Sequence, residues 1–206
     1  MKVIIRSDSV EVEGYVNAVE RNSKVLYDRN IGKFIERISA GAFRRALEKN
    51  DDVLVLLNHD PEKVLGSQKQ GNLELEEDSI GLRARTVITD PETIEDARKG
   101  NLVGWSFGFM DVPDGVERAM EGDIPLRKVN DMDLLEVSIL NREKIPAYDG
   151  TLIITRDEGD KEYHSEAYIY DSVEIINERT EPEQEETSEA IDYSKYENMI
   201  SEMKGE

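Results

Sequence analysis

The six residues Gly104-Trp105-Ser106-Phe107-Gly108-Phe109 constrain this chain more than any other stretch. Trp105, Phe107 and Phe109 alternate with Ser106 and Gly108, which is the period of a strand with one face in a core. The opposite face carries a single hydroxyl between two residues without side chains. Glycine weakens a strand, so Gly104 and Gly108 imply that another group comes close to the backbone here. Taken alone, the stretch fits two readings. One is a strand whose small residues face a packed element, and the other is a small nucleophile with space cleared around it.

The neighbouring segments predict a β-rich α+β fold. Val3 to Ile5, Val10 to Val19, Val64 to Ser67, Leu73 to Leu75, Leu82 to Val87, Leu134 to Leu140 and Thr151 to Thr155 read as strands. In the second of these, Val10, Val12, Gly14, Val16 and Ala18 alternate with Glu11, Glu13, Tyr15 and Asn17, giving one buried and one wet face. Val53-Leu54-Val55-Leu56-Leu57 is a continuous apolar run too short for a helix, so it reads as a strand buried on both faces. Asn58-His59-Asp60-Pro61 ends it as a turn. From there to Val87 the pattern is that of a meander.

Two helices are expected. Ser39 is placed as an N-cap before Ala42, Phe43, Ala46 and Leu47, which recur at helical spacing. Asp90-Pro91-Glu92 opens the second with a cap, a proline in the first turn and an acid beside it. Residues 111–128 read as a charged loop around Pro113-Asp114-Gly115.

Composition divides the chain. The net charge is −20, with 35% charged and 38% hydrophobic residues. A nucleic-acid or anionic-membrane binder needs Lys and Arg for phosphates, so this balance argues against both. Residues 171–206 carry twelve acids against three bases, and 178–189 hold almost no apolar side chain. The expected organisation is therefore a folded domain over 1–155 and an acidic, partly disordered tail over 156–206. Within the tail, Tyr193, Tyr196, Ile200 and Met203 are spaced for a short amphipathic helix near 192–204.

No segment has the apolar length of a signal peptide or a membrane span, which indicates a soluble, cytoplasmic chain. There are no cysteines and only two histidines. Thiolate chemistry is thus excluded, a typical zinc site lacks ligands, and no phosphate-binding or dinucleotide fingerprint appears in residues 1–110. No cofactor and no metal are expected.

Three separate strands carry the candidate chemistry. His59 lies at the end of the buried strand 53–57, where catalytic groups are often presented. Glu136 interrupts the apolar strand 134–140, sharing a face with Leu134, Ser138 and Leu140. A carboxylate so placed is costly unless paired. A serine nucleophile needs a base within reach, and the base needs an acid to fix its tautomer, so Ser106, His59 and Glu136 gain meaning together. Asp131 and Asp133 are rival acids in the approach to the strand, and His164 is a weaker rival base in the charged region beyond the core. Gly104 to Gly108 matches G-x-S-x-G literally, but the serine sits inside an aromatic-alternating strand with no strand-turn-helix after it. It is not an α/β-hydrolase elbow.

Phe34-Ile35-Glu36-Arg37-Ile38 with Gly41-Ala42-Phe43, Leu56-Leu57-Asn58-His59-Asp60, the Ser106 strand, Leu135-Glu136-Val137-Ser138-Ile139 and Pro146-Ala147 occur in this order. Over roughly residues 10–155 the chain resembles the prohead maturation proteases of tailed bacteriophages, serine peptidases related in fold to the herpesvirus assemblins. The resemblance implies a mostly antiparallel small barrel or curled sheet with a few flanking helices. It implies a Ser-His-acid endopeptidase with Ser106 as nucleophile, His59 as base and Glu136 as third member. The oxyanion donors do not transfer with it; backbone amides near the strand and Arg142 in the following loop are the candidates. The implied partners are the major capsid protein precursor with its scaffolding segment, and the enzyme itself through autoprocessing. The implied location is the immature procapsid in the host cytoplasm. The alternatives are a non-catalytic capsid scaffolding or assembly protein with an acidic docking tail, and an unrelated cytosolic serine hydrolase using the same three residues.

Overall fold

A computed structural model describes residues 1–28, 32–142, 163–170 and 172–178. The chain is β-rich, with two short helices α1 (Ala42–Lys49) and α2 (Pro91–Arg98). Among the described residues the strands form three open sheets, so the fold is α+β and its hydrogen-bonded ladders do not close into a ring. The first sheet has the order β14 (Glu174–Asn177), β1 (Lys2–Ile5), β2 (Val10–Ala18), β8 (Gly81–Ile88), β7 (Leu73–Glu77). The second runs β10 (Val116–Glu121), β11 (Ile124–Val129), β4 (Gly32–Ile38), β3 (Leu26–Asp28). The third runs β13 (Tyr163–Ile169), β9 (Leu102–Asp111), β12 (Met132–Asn141), β5 (Leu54–Leu57), β6 (Asp60–Ser67). Most pairings are antiparallel; β1 with β14, β4 with β11 and β5 with β12 are parallel.

The core lies between the first and third sheets, closed by α1 and α2. Val12, Val16, Leu82 and Ala84 from one sheet and Trp105, Phe107, Phe109, Val137 and Ile139 from the other are buried in it. Phe43 of α1 meets Phe107 edge-on at 5.2 Å, and Phe107 stacks on Phe109 at 5.5 Å. Each such aromatic contributes on the order of 2–3 kcal/mol by leaving water. The aromatic face expected of the Ser106 strand is therefore the core face of β9.

Several local expectations are corrected. The stretch from residue 53 to 87 is not a meander: β5 and β6 pair in the third sheet, and the chain then crosses to the first sheet for β7 and β8. Residues 111–128 are not only a loop, because β10 and β11 form a hairpin within them. Most of β10 is exposed, so neither face shows the apolar alternation that betrays a strand. Helix α1 is not capped by Ser39. Its N-cap is Gly41 at φ 83°, and Glu77 from β7 accepts the backbone N–H of Arg44 at 2.7 Å as well as that of Gly41. A carboxylate there answers both the orphan amides and the helix dipole. Helix α2 starts as expected, with Asp90 accepting from the Thr93 amide and hydroxyl at 2.8 Å.

In β12 a register shift falls between Leu134 and Glu136. This bulge at Leu135 turns Leu134 into the core with Val137 and Ile139 and leaves Leu135 only partly buried. Leu134 thus does not share the face of Glu136, contrary to a strict alternation.

Strands β13 and β14 lie in the segment assigned to the acidic tail, and pair with β9 and β1. Tyr170, just past β13, accepts the Tyr15 N–H at 2.6 Å and donates to the Tyr15 carbonyl at 2.8 Å. The strand expected over 151–155, the Pro146-Ala147 motif and the helix near 192–204 lie outside the described residues. Among the described residues, no helix is long and apolar enough to cross a membrane.

Candidate active site

Three adjacent strands of the third sheet supply the site. Glu136 and Ser138 stand on β12, which has β9 on one side and β5 on the other. Ser138 is directly opposite Ser106 across the antiparallel ladder, and beside Leu56 across the parallel one. Paired residues point to the same face, so Ser106, Glu136 and Ser138 share the face away from the aromatic core. Gly108 is opposite Glu136, so no side chain flanks the carboxylate from that neighbour.

His59 arrives through a tight turn. Leu57 and Asp60 pair, leaving Asn58-His59 as a two-residue loop between β5 and β6. Both have positive φ, 55° and 58°, as a type I′ turn requires. Asparagine and histidine are among the few non-glycine residues that tolerate this region. β12 holds the turn from the side. The Asn58 N–H donates to Ile139 O at 2.9 Å, and the Asn58 and Asn141 side chains join at 2.9 Å, with Asn141 N–H donating back at 3.1 Å. Asp96 of α2 accepts from Asn141 at 2.7 Å. Pro61 follows in β6, which is an edge strand and so tolerates a residue without an N–H.

The result is a hydrogen-bonded trio. His59 Nδ1 lies 2.7 Å from Glu136 Oε1, and His59 Nε2 lies 2.7 Å from Ser106 Oγ. A carboxylate only accepts, so Nδ1 carries the hydrogen and the Nε2 lone pair faces the serine hydroxyl. Glu136 and Ser106 are buried, while the imidazole is 14% exposed. Such an arrangement can draw the proton from Ser106 and hold the resulting imidazolium against a carboxylate.

The other candidates go elsewhere. Asp131 pairs with Lys49 of α1 at 2.6 Å and caps the Met132 N–H. Asp133 is half-buried one residue before Leu134. Arg142 follows β12 directly; its side chain is exposed and its backbone N–H donates to Asn101 O at 3.0 Å, so that amide is already committed.

His164 is opposite Phe109 on β13 and stacks on it at 5.2 Å, on the face of β9 that Ser106 does not share. It belongs to a buried ionic cluster. Arg127 donates to both Asp111 oxygens at 2.7 Å and to His164 Nδ1 at 3.0 Å, and its guanidinium lies 3.5 Å from Glu36. Burial would raise the Asp111 carboxyl, but hydrogen bonding to His164 and the charge of Arg127 outweigh it and hold it below the usual range. Burial pushes Glu36 up despite Arg127.

Ser138 carries no functional mark of its own in the sequence; the signal that points to it is its place two positions after Glu136 on the same strand face. Its hydroxyl donates to Glu136 Oε2 at 2.6 Å and accepts the His59 N–H at 3.1 Å.

No curated protein and no solved structure matches the chain. A family model described as caudovirus prohead serine protease matches residues 2–165, a span that includes every strand of the candidate site. The chain therefore belongs to the prohead serine protease family of tailed bacteriophages, and its role is that of a serine peptidase in phage capsid maturation.

Proposed function

We propose that the chain is a serine endopeptidase with Ser106 as nucleophile, His59 as general base and Glu136 as the acid that orients the base. The observation that carries this reading is the placement of His59 at 2.7 Å from both partners, one through each ring nitrogen. His59 Nε2 takes the Ser106 proton as the hydroxyl oxygen attacks a peptide carbonyl. Glu136 holds the ring and balances its positive charge. The imidazolium then protonates the leaving amine, and an acyl-enzyme remains. Water, deprotonated by His59, attacks the ester and frees Ser106. Stabilising the oxyanion is commonly the largest single contribution. The Arg142 side chain and strand amides are the donors to test.

The substrates are the scaffolding segment of the major capsid protein precursor and the protease itself, both inside the immature procapsid. Autoprocessing would release part of the tail 156–206, which mass spectrometry of the mature protein reads directly; an intact C-terminus removes that part of the proposal.

One observation favours the alternative of a non-catalytic assembly protein: Ser106 is wholly buried. A single experiment separates the two. Co-expressed with the capsid precursor, the wild-type chain cuts the precursor, and a soluble Ser106→Ala variant leaves it whole. Undiminished cleavage by Ser106→Ala rules out Ser106 as nucleophile, and no cleavage by either favours the assembly role.

A further inference from the structure

We propose that Ser138 is a positioning residue that sets both the carboxylate rotation and the histidine turn, resting on the protease reading above. Its single hydroxyl spans the two components that must be aligned. The O–H donates to Glu136 Oε2 at 2.6 Å, so the second carboxylate oxygen is held while Oε1 meets His59 Nδ1. The same oxygen accepts the His59 backbone N–H at 3.1 Å. A hydroxyl has one hydrogen to give and two lone pairs, so it can do both at once.

The location makes this more than a satisfied buried polar group. Glu136 is a carboxylate with 4% exposure, and its free rotation would carry Oε1 away from the imidazole. His59 has φ 58°, a conformation a histidine keeps only where neighbours hold it. Ser138 is fully buried on the central strand, between Ser106 on one side and Leu56 on the other. A rigid strand position therefore ties the acid to the base independently of the serine that would react.

The test uses the full chain and three readouts. The first is the rate on purified capsid precursor. Ser138→Ala should lower kcat about 10- to 100-fold with KM unchanged, the range that losing an orienting partner of a metal-bound histidine costs. Ser138→Thr and Ser138→Val match in shape and differ in the hydroxyl, so Thr should restore rate relative to Val. The second is non-additivity: in a Glu136→Gln background Ser138→Ala should cost a smaller factor than it does alone, the remainder being its hold on the His59 turn.

The third readout needs no substrate. With two histidines in the chain, the His59 Nδ1–H proton can be assigned by NMR through its loss in His59→Gln. Its downfield signal should persist in Ser138→Thr and broaden or move upfield in Ser138→Val. Equal rates and equal signals in Thr and Val overturn the proposal, as does a full additive loss in the Glu136→Gln background. If Ser138→Ala does not fold, the Thr and Val pair decides. Because the imidazole signal is read without cleavage, positioning can fail or stand whatever Ser106→Ala shows about the protease reading.

Discussion

Glu136 meets the ring of His59 at 2.7 Å although 77 residues separate them in the chain. The contact depends on a carboxylate, because only an acceptor forces the hydrogen onto Nδ1 and frees Nε2 for Ser106. Glu136→Gln can present an N–H instead and stabilise the wrong tautomer. If Glu136 is the third member, the expected outcome is a folded protein whose kcat on capsid precursor falls by about 10³- to 10⁴-fold, the loss that amide replacement of the acid causes in known Ser-His-Asp sites. Single-turnover cleavage measures it, and a loss below tenfold would remove Glu136 from the proposed triad.

The turn that carries His59 makes a second prediction. Asn58 has φ 55° and shares hydrogen bonds with Asn141. Asn58→Ala keeps a side chain in the left-handed region and loses both bonds, so it should destabilise the fold by about 1–3 kcal/mol and slow cleavage. Asn58→Gly relieves the backbone and should recover part of the stability while leaving cleavage slow. Denaturant midpoints and cleavage rates of the two variants separate strain from positioning.

Glu36 predicts a pH effect of opposite sign to the usual acid. Burial raises its carboxyl, with Arg127 and His164 opposing and Asp111 reinforcing. Its folded form therefore holds a proton that the unfolded chain has already released. Stability from this group is complete below the ordinary carboxylate range and declines as pH rises through the raised value, by at most about 1.4 kcal/mol per pH unit. Glu36→Gln should flatten that decline and stabilise the protein at neutral pH. Thermal melts of both proteins between pH 4 and pH 8, a range of about four units chosen around carboxylate titration, check it; identical slopes would refute it.

Tyr170 ties the end of β13 to β2 through the amide and the carbonyl of Tyr15. Tyr170→Phe leaves both backbone groups without that partner. A loss of about 1–3 kcal/mol is expected, with faster hydrogen exchange in β13 than in β12. Uniform exchange across the two strands would show that this bond does not anchor β13.

Much of this architecture is legible before any coordinates. The aromatic alternation of β9, the cap of α2 and the apolar run of β5 each follow one strong local rule, and the structure obeys them. The three residues proposed for the site stand out in the sequence because each violates its surroundings: a hydroxyl between glycines, a histidine at a strand end, a carboxylate in an apolar strand. What escaped were features with no local imprint. The bulge at Leu135 inverts an alternation that looks regular, and the cap of α1 comes from Glu77 on a distant strand. β10 and β14 are largely exposed, so burial wrote no pattern into them. The cluster of Glu36, Asp111, Arg127 and His164 draws on four strands, and charged residues read one at a time look like solvated surface.

The order of the strands also has a consequence in time. During synthesis His59 emerges first, Ser106 follows 47 residues later, and Glu136 lies 77 residues after His59. β5 has only its hairpin partner until β12 arrives to lie between it and β9. A growing chain therefore holds its histidine on an unsupported turn until β12 has been made, and contacts this distant in sequence form late. The hydrogen-bonded trio can close only once β12 has been made, so any nascent chain that stops short of Glu136 lacks the contact that orients the imidazole.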